Sequence, residues 1–212
     1  VSPVDADALP GVVVLGGSEG GSCSVERRAA WSTRYGYTTL ALAYFAAPGL
    51  PADLEEVDLS YFAGALDSFA ARPDVDGPRL AVMGGSRGSE AALMIGARYG
   101  VRAVIATAAS GLRWSSVYDP DVDAWREDGV PLPYMPTSPA PMPEGVTLEA
   151  GTTAYRTTPQ FVTSIADADP AALEAATISA ELSDGAVLLL GGADDGVWPA
   201  CQMAQITLDR LT

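Results

Sequence analysis

The hydrophobic residues of this chain fall in short unbroken runs set between amphipathic stretches. "GVVVLGG" (Gly11 to Gly17) is a β-branched run closed by glycines, which predicts a buried strand. "SVERRAAWSTRYG" then has helical spacing and a glycine stop at Gly36. "TTLALAYF" (Thr38 to Phe45) predicts a second strand, closed by Pro48 and Gly49. A helix is expected from Leu54 to Ala71, because Leu54, Val57, Tyr61, Ala65 and Phe69 step by three or four along one face. Leu80 to Gly84 reads as a third strand and Arg87 to Tyr99 as its helix. "VRAVIATAAS" is a fourth strand, "GAVLLLGG" (Gly185 to Gly192) a fifth, and Trp198 to Leu211 a closing helix.

Strands without polar alternation, separated by helices of about ten residues or more, predict a parallel sheet covered on both faces. The class is therefore α/β, with residues 1–212 read as one domain. The rhythm breaks between Gly111 and Asp184, where prolines recur from Pro120 through Pro139, Pro141 and Pro143 to Pro170. Such a stretch forms neither continuous helix nor central strand. It predicts a lid-like excursion over 112–184, crossing one edge of the sheet, with short helices near Pro159 to Ala176.

The first candidate chemistry lies where the third strand meets its helix. Gly84-Gly85-Ser86-Arg87-Gly88 fits G-x-S-x-G, and the strand before and helix after are the context a nucleophile elbow needs. The motif alone is equally a βα turn with a capping serine; the context favours Ser86 as nucleophile. An oxyanion hole needs two backbone donors. The Arg87 N–H is one, and the glycine-rich loop "GGSEGG" points to Ser18 or Glu19 for the other. That loop has no Lys and no G-K-[ST] ending, so it is not a nucleotide P-loop. "LLLGGADDGVWPA" puts Asp194 and Asp195 just past the fifth strand, on the edge where such sheets carry their sites. An acid there orients a histidine, although either aspartate is also a turn or helix cap.

Bland readings compete elsewhere. Arg87 is expected to pair with Glu90 along the first helical turn rather than to steer substrate. Trp114, Trp125 and Trp198 are candidates to line an acyl pocket, or else pack in the core or lid. Cys201 is expected to be a buried structural thiol. Arg27 and Arg28 suit a phosphorylated carrier or a solvated surface.

Composition adds one difficulty. The 212 residues contain no histidine, so nothing in the chain is an obvious base for Ser86; Glu19 is a poor substitute. The net charge of −15, with every basic residue an arginine, argues against nucleic acid and anionic membranes as partners. No apolar run approaches the ~18 residues needed to span a bilayer. Cys23 and Cys201 show neither metal-ligand nor disulfide spacing, and no metal or cofactor is called for. No signal peptide is visible at "VSPVDADALPG", which fits a cytoplasmic protein and equally a mature secreted one.

The blocks "GVVVLGGSEGG", "LALAYF", "GLPADLEEVDLSYF", "MGGSRGSEAALMIGAR" and "GGADDGVWPACQMA" together resemble the C-terminal domain shared by acyl-CoA thioesterases and bile acid-CoA:amino acid N-acyltransferases. The resemblance implies an α/β-hydrolase fold. It places the nucleophile, serine in the thioesterases and cysteine in the amino-acid transferases, on Ser86, and the acid on Asp195, leaving Asp194 structural. A serine ester is readily turned over by water, so hydrolysis of a thioester or ester, through an acyl-Ser86 intermediate, is expected. The family's histidine lies on a loop after one further strand, beyond the helix ending at Leu211. The chain also starts with Val rather than Met, and it is expected to be a fragment whose histidine comes from a missing segment or a complementary chain. An acyltransferase, and a catalytically silent binding domain without histidine, are the alternatives.

Overall fold

The computed structural model describes residues 8–137, 146–147, 153–154 and 156–212. Pro139, Pro141 and Pro143 of the expected excursion lie outside the described residues.

The elements follow in order. β1 is Leu9–Leu15, α1 Cys23–Thr33, β2 Thr38–Leu42, β3 Val57–Asp58 and α2 Leu59–Ala70. β4 is Val75–Gly85, α3 Arg87–Tyr99, β5 Ala103–Thr107, β6 Trp125–Glu127 and β7 Val130–Pro131. β8 (Val146–Thr147) and β9 (Thr153–Ala154) form a short hairpin, followed by α4 Thr158–Ala166, α5 Pro170–Ala176, a 3₁₀ turn Ala180–Leu182, β10 Ala186–Leu190 and α6 Ala200–Leu211.

The main sheet has five strands in the order β10-β5-β4-β1-β2, all parallel, as the continuous apolar runs predict. Alternate residues of β1 serve two faces. Val12 and Val14 pack with Val25 and Ala29 of α1, while Val13 and Leu15 join the larger core with Phe62 and Leu66 of α2 and Leu93 of α3. Helices thus cover both faces, and the fold is of the α/β-hydrolase type. Among the described residues no helix is long and apolar enough to cross a membrane.

Several boundaries differ from the sequence expectation. The helix expected from Leu54 begins only at Leu59, because the Asp58 carboxylate caps it by accepting the Ser60 N–H at 2.9 Å. Ahead of it, Glu56 takes a positive φ of 54°, and Val57–Asp58 pairs with Trp125–Arg126 as β3. The buried face of α2 is therefore Leu59, Phe62, Leu66 and Phe69, one position out of step with Tyr61 and Ala65. β4 starts earlier than expected, at Val75, because Val75 and Asp76 pair with Leu9 and Pro10 before the register shifts at Gly11.

The segment after β5 supplies part of the core. β3, β6 and β7 form a small second sheet. Its β6–β7 turn, Asp128-Gly129, has φ of 51° and 75°, the paired positive values of a two-residue hairpin. Trp125 is buried with its ring 5.7 Å from that of Tyr44. Trp114 and Trp198 are buried on either side of Phe161, at ring distances of 4.8 and 5.9 Å. The expected short helices are α4 and α5.

One side of the sheet is thinly covered. α1 lies over β1 and β2; beyond it a hollow of about 820 Å³ is lined by Trp31, Tyr35, Ala81, Met83 and Ile105 among others. At the edge strand β10, Leu188 and Leu190 are 50% and 48% exposed.

Candidate active site

Ser86 sits between β4 and α3 with φ 55° and ψ −125°, a conformation that costs a non-glycine residue on the order of 1–3 kcal/mol. Surrounding contacts hold it there. Its N–H donates to the Thr107 carbonyl of β5 at 2.9 Å, and its carbonyl accepts the Ser89 N–H and hydroxyl at 2.8 and 2.6 Å. The flanking glycines are steric necessities. A β-carbon on Gly84 would stand 1.9 Å from the Gly88 carbonyl oxygen, and one on Gly88 would stand 2.0 Å from that of Gly16. The turn therefore packs directly under the β1–α1 loop, with Ser86 half-buried at the start of α3.

That loop meets Ser86 through Gly17, one residue before Ser18 and two before Glu19. A β-carbon on Gly17 would lie 3.1 Å from Cβ of Ser86 and 2.9 Å from Oε2 of Glu19. The glycine pair after β1 was the available signal for it, since only a residue without a side chain fits between two strand ends. Glu19 folds back over the loop. Its Oε2 accepts the Gly17 N–H at 2.9 Å, its Oε1 accepts the Ser24 hydroxyl at 2.7 Å, and Arg28 lies 3.6 Å away. Partial burial raises the Glu19 pKa, but the Ser24 bond, its own backbone, Arg28 and Gly17 outweigh this and leave it below the ordinary carboxylate value. A carboxylate so held is a weak base for a serine hydroxyl. The loop is propped from beneath by Tyr44, whose buried hydroxyl donates to the Gly16 carbonyl at 2.7 Å.

Gly17, Glu19, Arg28, Met83, Gly85, Ser86, Thr107 and Ala108 line a cleft of about 260 Å³. Arg28 is exposed on α1 and reaches over the elbow, with Nη1 3.1 Å from where a Gly85 β-carbon would be; Arg27 beside it faces solvent.

Asp194 and Asp195 follow β10 at the same end of the sheet. β5 separates β10 from β4, so the two strand ends stand about 10 Å apart, two strand spacings. Asp195 Oδ1 accepts the Val197 N–H at 2.9 Å and the Trp198 N–H at 3.4 Å. Asp194 points outward and pairs with Arg156 at 2.9 Å. Asp195 has the capping partners that its bland reading foresaw, whereas Asp194 makes an exposed ion pair instead, and Asp195 is the less exposed of the two.

Arg87 does pair with Glu90, Nε to Oε1 at 3.0 Å, with both side chains almost wholly buried. The two atoms touch without hydrogen-bond alignment. Arg87 also donates to the Trp114 carbonyl at 2.9 Å, while Glu90 Oε2 accepts the Trp125 indole N–H at 2.7 Å and the Trp114 N–H at 3.3 Å. Burial pushes the Glu90 carboxyl up to about 7, against the pull of Arg87, the two hydrogen bonds and Arg113.

The two tryptophans take their packing alternative, and the Cys201 expectation changes. Trp114 and Trp198 are 0% and 2% exposed, so their rings are held by packing around Phe161 rather than on a pocket wall. Cys201 is exposed, because α6 turns Ala200, Met203 and Thr207 inward instead.

A parallel sheet, a strained serine elbow at its C-terminal end, a glycine loop against it and an acid two strands away define an α/β-hydrolase. The family model "BAAT / Acyl-CoA thioester hydrolase C terminal" matches residues 57–212, and the chain belongs to that family. It is 42% identical over 91 residues to acyl-coenzyme A thioesterase 6 of Homo sapiens, covering 43% of this chain and 21% of that one. It is 30% identical over 213 residues to acyl-coenzyme A amino acid N-acyltransferase 1 of Mus musculus, covering 99% of this chain and 45% of that one. The chain thus spans less than half the length of these relatives. The crystal structure of 2,6-dihydroxy-pseudo-oxynicotine hydrolase superposes on all of this chain and 53% of its own with a TM-score of 0.58 at 14% identity, a likeness of fold.

Proposed function

We propose that the chain is the hydrolase unit of a serine thioesterase that cleaves acyl-CoA-like thioesters. Ser86 Oγ attacks the thioester carbonyl while a histidine takes its proton. The tetrahedral oxyanion is met by the Arg87 N–H and the N–H of Ser18 or Glu19. The C–S bond breaks, the histidine returns the proton to the leaving thiolate, and water releases the acid from acyl-Ser86 by the same route. Asp195 orients that histidine and stabilises its cation.

The observation carrying this reading is the positive φ of Ser86, held beneath a glycine loop at the head of a helix. The chain has no histidine, so the base belongs to a segment or chain outside these 212 residues. The half-exposed leucines of β10, on the edge strand that leads into Asp195, support a further strand docking there. Arg28 in the cleft supports an anionic group on the substrate, although the net charge of −15 disfavours polyanions in general.

The test is fluorophosphonate labelling of the complete protein, with intact mass and C-terminal sequencing. Ser86 should carry the label, and Ser86→Ala should lose both label and acyl-CoA hydrolysis. Labelling at Ser18 or Ser89 would overturn the assignment. Turnover at full rate by a 21.8 kDa chain alone would remove the external histidine. A second reading, acyl transfer to an amine, is favoured by the 99% coverage in the N-acyltransferase alignment. Acyl-amino-acid product formed in the presence of amino acids would establish it.

A further inference from the structure

Glu90 stands out among the groups that this mechanism does not use. It lies one helical turn past Ser86, it is fully buried, and it faces two arginines and two N–H donors. Arg87 touches it from its own helix, Arg113 acts on it from the segment after β5, and the Trp114 and Trp125 N–H groups donate to it from that segment and from β6. The Tyr44 phenol, which props the glycine loop, feels Glu90 and Arg87 electrostatically. Burying a carboxylate and a guanidinium together is costly, since their desolvation rivals their attraction.

The pair has a geometric consequence. Arg87 is both the residue whose N–H follows Ser86 and the residue whose side chain is clamped between Glu90 and the Trp114 carbonyl. Fixing that side chain fixes the peptide joining Ser86 to α3. We infer that Glu90 is a positioning residue: its ionised form, acting through Arg87, holds the Arg87 N–H on the oxyanion and locks the Trp114–Trp125 segment to the elbow. This rests on the reading of Ser86 as nucleophile. Protonation of Glu90 removes the charge that clamps Arg87. The raised pKa brings this change close to neutral pH.

Turnover should then need two deprotonations on its acid side, the histidine and Glu90. The experiment is the pH profile of kcat/KM for an acyl-CoA, and of fluorophosphonate labelling, in the complete protein and in Glu90→Gln. The wild type should show an acid limb steeper than one proton, and Glu90→Gln a one-proton limb. At alkaline pH the variant's kcat/KM should fall about ten- to a hundredfold, mostly in kcat, with Ser86 still the labelled residue. Trp125→Phe keeps the ring and removes one bond to ionised Glu90. It should move the steep limb to higher pH, and it decides the matter if Glu90→Gln fails to fold. A folded Glu90→Gln with the wild-type limb and rate would overturn the inference, as would a wild-type profile in Trp125→Phe. Loss of label from Ser86 in the wild type would instead sink the nucleophile assignment.

Discussion

Gly88 passes so close beneath Gly16 that a β-carbon on it would stand 2.0 Å from the Gly16 carbonyl oxygen, the same oxygen that accepts the Tyr44 hydroxyl. The elbow and the glycine loop are therefore one packed unit, and their relative position is set by backbone contact. Gly88→Ala should force the loop off the elbow. The expected cost is about 1–3 kcal/mol or more, as for other overpacked sites, with slower labelling of Ser86. Urea unfolding checks the first and fluorophosphonate kinetics the second; unchanged values for both would mean that the contact is looser than described.

The two aspartates after β10 are separable by substitution. Asp195→Asn keeps an oxygen to accept the Val197 and Trp198 N–H groups but removes the charge. It should preserve the turn and lower kcat by several orders of magnitude, as loss of a triad acid does. Asp194→Asn breaks only its exposed contact with Arg156 and should leave turnover near wild type. Steady-state kinetics of the pair decide, and a larger loss at Asp194 would reverse the assignment.

Glu90 should also mark the pH dependence of stability. Its folded pKa of about 7 lies above the ordinary 4.5, so the folded state holds the proton more tightly than the unfolded chain. This contribution is fully present below about pH 4.5 and is lost as pH rises through about 7, the reverse of a normal salt-bridged carboxylate. Its size is roughly 3 kcal/mol. Glu90→Gln cannot titrate, so wild-type stability relative to this variant should decline from about pH 5 to about pH 8. Denaturant titrations across that range provide the check, and a pH-independent difference would show that burial does not perturb Glu90.

At the sheet edge, Leu188 and Leu190 expose apolar surface beside strand backbone that pairs with no further strand among the described residues. Leu188→Lys should reduce self-association of the 212-residue chain, because a charged edge resists strand pairing. Light scattering at matched concentration measures this, and equal association of both forms would show that the edge is not the sticky surface.

Much of this molecule was legible before any contact was known. The β-branched run of β1, the apolar run of β4, the G-x-S-x-G elbow and the paired aspartates after β10 are local features, each with a backbone reason for its residues. The Asp128-Gly129 hairpin turn lies inside the stretch expected to be an excursion and came only with the structure. The start of α2 was not legible either, because the apolar spacing from Leu54 continues across a cap that belongs to Asp58. Gly17 was hidden behind the more eye-catching Ser18 and Glu19.

By itself, then, the sequence determined the strand and helix order, the parallel sheet, the strained serine and the absence of an imidazole. Those follow from side-chain size, periodicity and φ preference over a few neighbouring residues. Only the tertiary structure decided that Trp114 and Trp198 are core, that Gly17 lies against Ser86, and that Glu90 meets the Trp125 indole thirty-five residues away. Burial and buried charge depend on which distant segments the sheet brings together, and no local pattern carries that information.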